Sequence, residues 1–214
     1  MVHTNMIGMN GALPPSSLNV KSSVRDKMNI FGSNELMDKT LGWNAIILLS
    51  TILFSLIFAC ATPFAALAGL AALHLRRTEG LSLIVAAWFI NQLIGYGLLT
   101  YPQSWDSFAW GAAIGIAGIS SALIAYAVDH AMTGRETVLR GLSVFVSAFI
   151  VYELVLLAAS TILPSGEEAF SFDVVMQILA INGLAFIGLL ALQRLGLALG
   201  IALPRTQLQA SASV

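Results

Sequence analysis

Few side chains in this sequence can do chemistry, and those few interrupt long apolar runs. Asn91 and Gln92 fall in the middle of Leu81 to Thr100, and Glu153 follows Tyr152 within Val138 to Leu163. Asn182 lies near the centre of Phe172 to Leu192, with Gln177 nearer its start. Inside a helix surrounded by hydrocarbon, such a group costs a few kcal/mol unless it faces a neighbouring helix or a cavity. Two chemistries fit: holding a solute, or hydrogen bonding between helices. For the amides the residue types do not choose. Glu153 has no Lys or Arg at its depth to neutralise it, which points to a charged anchor or a proton-linked group for a solute.

Helical spacing sorts these residues by face. Gln92 and Tyr96 are four apart and share one face, as do Asn91 and Gly95. Just beyond, Tyr96, Tyr101, Trp105, Phe108 and Trp110 gather with Gln103 and Asp106. Aromatic residues at a helix end mark the membrane interface. The same rings also suit the mouth of an outward-facing pocket that stacks on a flat ligand.

Other chemistry is not supported. Cys60 is the one cysteine, so no intrachain disulfide framework exists, and no CxxC or HExxH spacing suggests a zinc or redox site. No phosphate-binding loop is present, so the chain is not itself the ATPase of a pump. No catalytic motif is recognisable, and an enzyme is not expected. Net charge is −1 and the basic residues are scattered, which disfavours nucleic acid as a partner.

The elements that carry these residues follow from composition. The 214 residues are 57% hydrophobic and only 10% charged, with mean hydropathy +0.85, where soluble domains carry roughly a quarter charged residues. The apolar blocks match a helix crossing about 30 Å of hydrocarbon. We expect an all-α polytopic membrane bundle with six spans: Leu41 to Ala59, Pro63 to Leu75, Leu81 to Thr100, Phe108 to Val128, Val138 to Leu163 and Phe172 to Leu192. A flexible tail at 1–40 precedes the transmembrane domain at 41–203, and a short tail at 204–214 follows.

Charge distinguishes six spans from five. With a turn at Ala61-Thr62-Pro63, all ten Lys and Arg fall on one side of the membrane: the N-terminal tail, Arg76 and Arg77, Arg135 and Arg140, Arg194 and Arg205. The opposite loops, Cys60 to Pro63, Tyr101 to Ser107 and Pro164 to Ser171, carry none. By the positive-inside rule both termini are cytoplasmic and the location is the inner (cytoplasmic) membrane. Pro63 suits the start of a new helix. The second span is then shorter than the bilayer, and must thin it or be sheltered by its neighbours.

Small residues at four-residue spacing allow close helix contact: Ala61, Ala65 and Gly69; Gly111 and Gly115, with Gly118 following; Gly196 and Gly200. They serve packing within the chain or docking of a membrane partner. His74 and His130 read as interfacial residues rather than ligands.

Six spans, inward termini and a short, small-residue second helix assemble a pattern that resembles the substrate-binding S components of energy-coupling-factor vitamin transporters. The local likeness is to cobalamin-type members, through Trp88-Phe89-Ile90-Asn91-Gln92-Leu93-Ile94-Gly95-Tyr96-Gly97, the following Tyr101-Pro102, and Phe108-Ala109-Trp110-Gly111. The resemblance implies a subunit that binds a vitamin-like molecule, a corrinoid among the candidates, and works with a membrane coupling subunit carrying ATPases. Some cobalamin-type members use an outer cysteine as a cobalt ligand, which makes Cys60 a candidate metal ligand by soft thiolate chemistry. The expected substrate-binding residues are Asn91, Gln92, Tyr96, Tyr101, Trp105, Glu153 and Asn182. The competing expectation is a structural or assembly subunit of a larger membrane complex, in which the same polar groups hold helices together.

Overall fold

The computed structural model describes residues 38–39, 41–50, 63–164 and 170–200. Chain contacts divide the protein into Met1–Asp38 and Lys39–Val214, and the helices considered below all lie in the second unit. They are α1 (Leu41–Ser50), α2 (Phe64–His74), α3 (Arg77–Gly97), α4 (Trp105–Ala131), α5 (Thr137–Ser160) and α6 (Phe172–Ala198). Among the described residues there is no strand. Helices α3 to α6 are each long and apolar enough to cross a membrane; α1 and α2 are shorter.

Local chemistry sets several boundaries. Helix α3 starts at Arg77 rather than Leu81, because the Glu79 carboxylate reaches back to accept the Arg76 backbone N–H at 3.3 Å. Pro63 caps α2 from just outside, its carbonyl accepting the Leu67 N–H at 3.0 Å. Helix α6 runs on through Arg194 to Ala198, beyond the expected end at Leu192.

Helix α2 is the axle of the bundle. Its 11 residues span roughly 16 Å at about 1.5 Å per residue, about half of a ~30 Å hydrocarbon layer. Every residue from Phe64 to Ala72 is buried, and α3, α4, α5 and α6 all pack on it. This short helix is thus sheltered by its neighbours. A helix of Ala, Gly and Leu can occupy this position because small side chains let surrounding backbones approach closely.

The contacts also fix helix directions. Phe64 packs beside Gly118, the central residue of α4, and Tyr126 of α4 reaches Ala71, so α2 and α4 run parallel. Asn182 and Phe186 of α6 meet Ala66 and Gly69 in the same sense. Along α5 the order reverses, Phe145 lying at Gly69 and Tyr152 at Phe64. On α3, Ile84, Trp88 and Gln92 meet Gly118, Gly115 and Gly111 of α4 in reverse order. Successive helices from α2 to α6 therefore alternate in direction, and one end of the bundle collects Arg76, Arg77, Arg135 and Arg140.

That end is closed by paired polar groups. Arg140 Nε donates to Asp129 Oδ1 at 2.6 Å, joining α5 to α4 across their turn. Trp43 Nε1 donates to Gln193 Oε1 at 2.7 Å, and its ring lies directly over Gly196, which docks α1 on α6. His74 lies 3.3 Å from the Leu70 carbonyl through Nδ1, a contact within its own helix.

Candidate functional site

The α3–α4 seam is a row of side chains laid on small residues. Ile84, Trp88, Gln92 and Tyr96 recur every four positions and form one ridge on α3. Gly118, Gly115, Gly111 and Ser107 form the groove on α4 that receives them. A Cβ at Gly115 would stand 2.8 Å from the Trp88 indole, whose Nε1 donates to the Gly111 carbonyl at 2.8 Å. A Cβ at Gly111 would stand 2.5 Å from Gln92 Oε1. The small residues of α4 are thus occupied by α3.

At the end of this seam away from the arginines the aromatic residues assemble. The Tyr96 ring stacks on Phe108 with centroids 4.8 Å apart and meets Tyr101 edge-on at 6.0 Å. Its hydroxyl is 3.1 Å from the Ser107 hydroxyl. Thr100 adopts a positive φ of 52°, a conformation costly for a β-branched residue. The turn brings Tyr101 back over Gly95, where its N–H donates to the Gly95 carbonyl at 3.1 Å. Gln92, Tyr96 and Tyr101 therefore belong to one neighbourhood. Trp105 does not join it: 69% of its surface is exposed, in keeping with an interfacial side chain. Trp110 Nε1 instead donates to the Pro164 carbonyl at 2.9 Å, tying α4 to the segment that follows α5.

Asn182 has a different occupation. Its Oδ1 accepts the Ala66 backbone N–H at 3.2 Å, and its Nδ2 donates to the Ile178 carbonyl at 3.1 Å. Ala66 lies in the first turn of α2, where backbone N–H groups lack partners within the helix. A side chain from α6 therefore performs the N-cap role that a Ser or Asp usually plays locally. At the other end of α2, the Tyr126 hydroxyl is 3.0 Å from the carbonyl oxygens of both Ala71 and Arg76 and 3.5 Å from that of Leu75. It sits directly over Gly80, whose missing side chain leaves the space.

The expected single cluster of polar groups from α3, α5 and α6 is divided by depth. Asn182 works at the start of α2, beside the level of Ile84 and Gly118. Gln92 lies two turns farther from the arginine end along α3, about 12 Å away along the axis. Asn91, its neighbour on α3, is half-buried. Cys60 lies outside the described residues.

Glu153 stands at the depth where α2 begins. The ring of Tyr152, the residue before it, stacks on Phe64 with centroids 6.1 Å apart. Glu153 Oε1 and Asn44 Oδ1 are the two buried side-chain polar atoms that find no hydrogen-bond partner among the described residues. A carboxylate oxygen in this condition costs more than a neutral amide oxygen. Among the described residues no group of three His, Cys, Asp or Glu side chains is placed to hold a metal ion.

Sequence reasoning missed Tyr126, Ser121, Gln193 and Trp43. Ser121 donates to the Ala148 carbonyl at 2.8 Å between α4 and α5. Each of these residues except Gln193 bonds a backbone carbonyl or a partner with no sequence signature of its own. The usable signal was weak: Tyr126 and Ser121 interrupt the apolar run of α4, as Asn182 interrupts α6.

No family model matches the chain, and neither a curated protein nor a solved structure matches it.

Proposed function

We propose that this chain is an integral membrane solute-binding and transport subunit for a vitamin-like molecule, a corrinoid among the candidates, of the kind the S-component resemblance implies. The observation that carries the reading is Glu153 Oε1, a buried carboxylate oxygen with no hydrogen-bond partner among the described residues, at the depth where α2 starts. Transporter sites commonly form where a helix is interrupted within the membrane, because backbone and polar groups there are free to meet a solute. An ionisable group held unpaired in an apolar bundle is hard to explain by packing alone. The Gln92, Tyr96 and Tyr101 group toward the outer end would supply stacking and hydrogen bonding at the mouth. In this reading the basic end of the bundle is cytoplasmic, both termini lie inside, and a coupling subunit with ATPases moves the protein in the inner membrane.

The test is purification of the full chain from its native membrane in mild detergent, followed by mass spectrometry and absorbance of the released small molecules. A stoichiometric vitamin-like solute, lost in Glu153→Ala, is the expected result. No bound solute, and no change in thermal stability on adding corrinoids, would overturn the proposal.

A second reading has its own observation. Asn182, Tyr126, Trp88 and Ser121 all bond backbone groups of neighbouring helices, which is how polar residues hold a structural subunit together. A stoichiometric protein complex without any solute, recovered by pull-down in gentle detergent, would favour it.

A further inference from the structure

Phe145 of α5 stacks on Phe186 of α6 with centroids 4.9 Å apart. Phe149 follows one turn outward, its ring stacked on Phe145 with centroids at 6.4 Å. Glu153 is one further turn along the same ridge. The Phe145, Phe149 and Glu153 row therefore lies on the side of α5 that turns toward α6. On α6 the positions outward of Phe186 are Asn182, whose amide is engaged with Ala66 and Ile178, and then Leu179 and Val175, both apolar and partly buried. Beyond the Phe145–Phe186 stack the two helices make little contact with each other, each packing on α2 instead.

Among the described residues, the side of the bundle that the carboxylate faces offers it no cation. The basic groups of the elements packed against α5 are His74 on α2, His130 on α4 and Arg194 on α6, and all lie toward the opposite end. Arg140, on α5 itself, is engaged with Asp129 at that same end. The nearest aromatic residue on its own ridge is Phe149, one turn below, whose ring stacks on Phe145; the ring of Tyr152 turns instead to Phe64 on α2. A carboxylate on one ridge with an aromatic ring is the chemistry that selects an organic ammonium, by charge and by cation–π attraction.

We propose that Glu153, with Phe149, forms a site for an organic ammonium group between the outer halves of α5 and α6. The inference rests on the solute-binding reading above and adds the chemical class of the ligand and its side of approach. Glu153 is half-buried, with Oε1 the buried and unpartnered oxygen among the described residues. The ammonium has two sources, a small solute or the headgroup of an ethanolamine lipid, and both present the same chemistry.

The experiment uses the full chain in phosphatidylcholine nanodiscs and titrates benzyltrimethylammonium, with neopentylbenzene as its uncharged isostere, by calorimetry. Saturable binding of the cation, none of the isostere, and a loss of about tenfold or more in Glu153→Gln is expected. Phe149→Leu keeps the carboxylate and should weaken binding about threefold, the cation–π share, which guards against misreading an unfolded Glu153→Gln. Competition by phosphatidylethanolamine would assign the lipid as occupant, and absence of competition the small solute; either supports the site. Equal affinity in the parent and Glu153→Gln, equal binding of the isostere, or no binding at all would overturn it. A chain that binds the cation but carries no vitamin-like solute retires the transport reading and leaves the site standing. One that copurifies with a solute insensitive to Glu153→Gln does the reverse.

Discussion

Asn182 Oδ1 on α6 accepts the backbone N–H of Ala66, 116 residues earlier in the chain, and that contact caps α2 inside the bundle. In water the first turn of a helix is satisfied by solvent or by a local side chain. Among lipid and packed helices neither is at hand, so a distant amide takes the role. Asn182→Leu, which removes the acceptor but keeps the volume, should lower stability by about 1–2 kcal/mol. Thermal unfolding in a fixed detergent checks this, and an unchanged midpoint would show that the cap contributes nothing.

The opposite end of α2 gives an independent expectation. Tyr126→Phe deletes only the hydroxyl that serves the Ala71 and Arg76 carbonyls, and should cost about 1 kcal/mol. Because Asn182 and Tyr126 act at opposite ends of the helix and share no atom, their losses should add to within about 0.5 kcal/mol. A double variant markedly less stable than the sum would mean that α2 is held by both ends as one cooperative unit.

Close packing along the α3–α4 seam can be tested with one methyl group. Gly115→Ala places a Cβ 2.8 Å from the Trp88 ring, a rigid neighbour, and should destabilise by about 1–3 kcal/mol. Gly183→Ala on α6 is the control, since nothing lies within 4 Å of its added atom. If both variants melt alike, the seam is looser than its contacts imply.

The Asp129–Arg140 pair joins two helices at the basic end, with Asp129 buried and Arg140 partly exposed. Removing the cation alone strands a buried carboxylate, whereas removing both charges does not. Arg140→Met should therefore cost about 1–3 kcal/mol, and Asp129→Asn in the same chain should recover part of the loss. A double variant no better than Arg140→Met would show that the ion pair, rather than the burial of one charge, matters.

Orientation is testable by labelling. In a Cys60→Ser background, a cysteine at Gln103 should react in intact cells with a membrane-impermeant maleimide, and one at Gly134 only after lysis. The reverse pattern would invert the assignment of the basic end to the cytoplasm.

Some of the residues that the sequence singles out are brought together by the fold and others are held apart. Gln92, Tyr96 and Tyr101 do assemble, because Gln92 and Tyr96 share a helix face and Tyr101 is only a short turn away. Asn182 does not join them, since its depth matches the start of α2 and not Gln92. Hydropathy assigns a residue to a helix and an approximate depth; it carries no information about which neighbouring backbone has an open hydrogen bond.

By itself, the sequence determined that this chain is helical and membrane-compatible, that Arg76, Arg77, Arg135 and Arg140 stand at the ends of apolar runs, and that a handful of polar residues interrupt those runs. These follow from composition and period, which act residue by residue. Only the tertiary structure decided that the short α2 is the axle of the bundle, that the glycines of α4 are filled by α3, that Asn182 and Tyr126 cap α2, and that Glu153 Oε1 is left without a partner among the described residues. Those outcomes depend on which helices pack together. Polar groups in an apolar bundle are satisfied by whatever backbone packing brings near, and that proximity is written in no single stretch of chain.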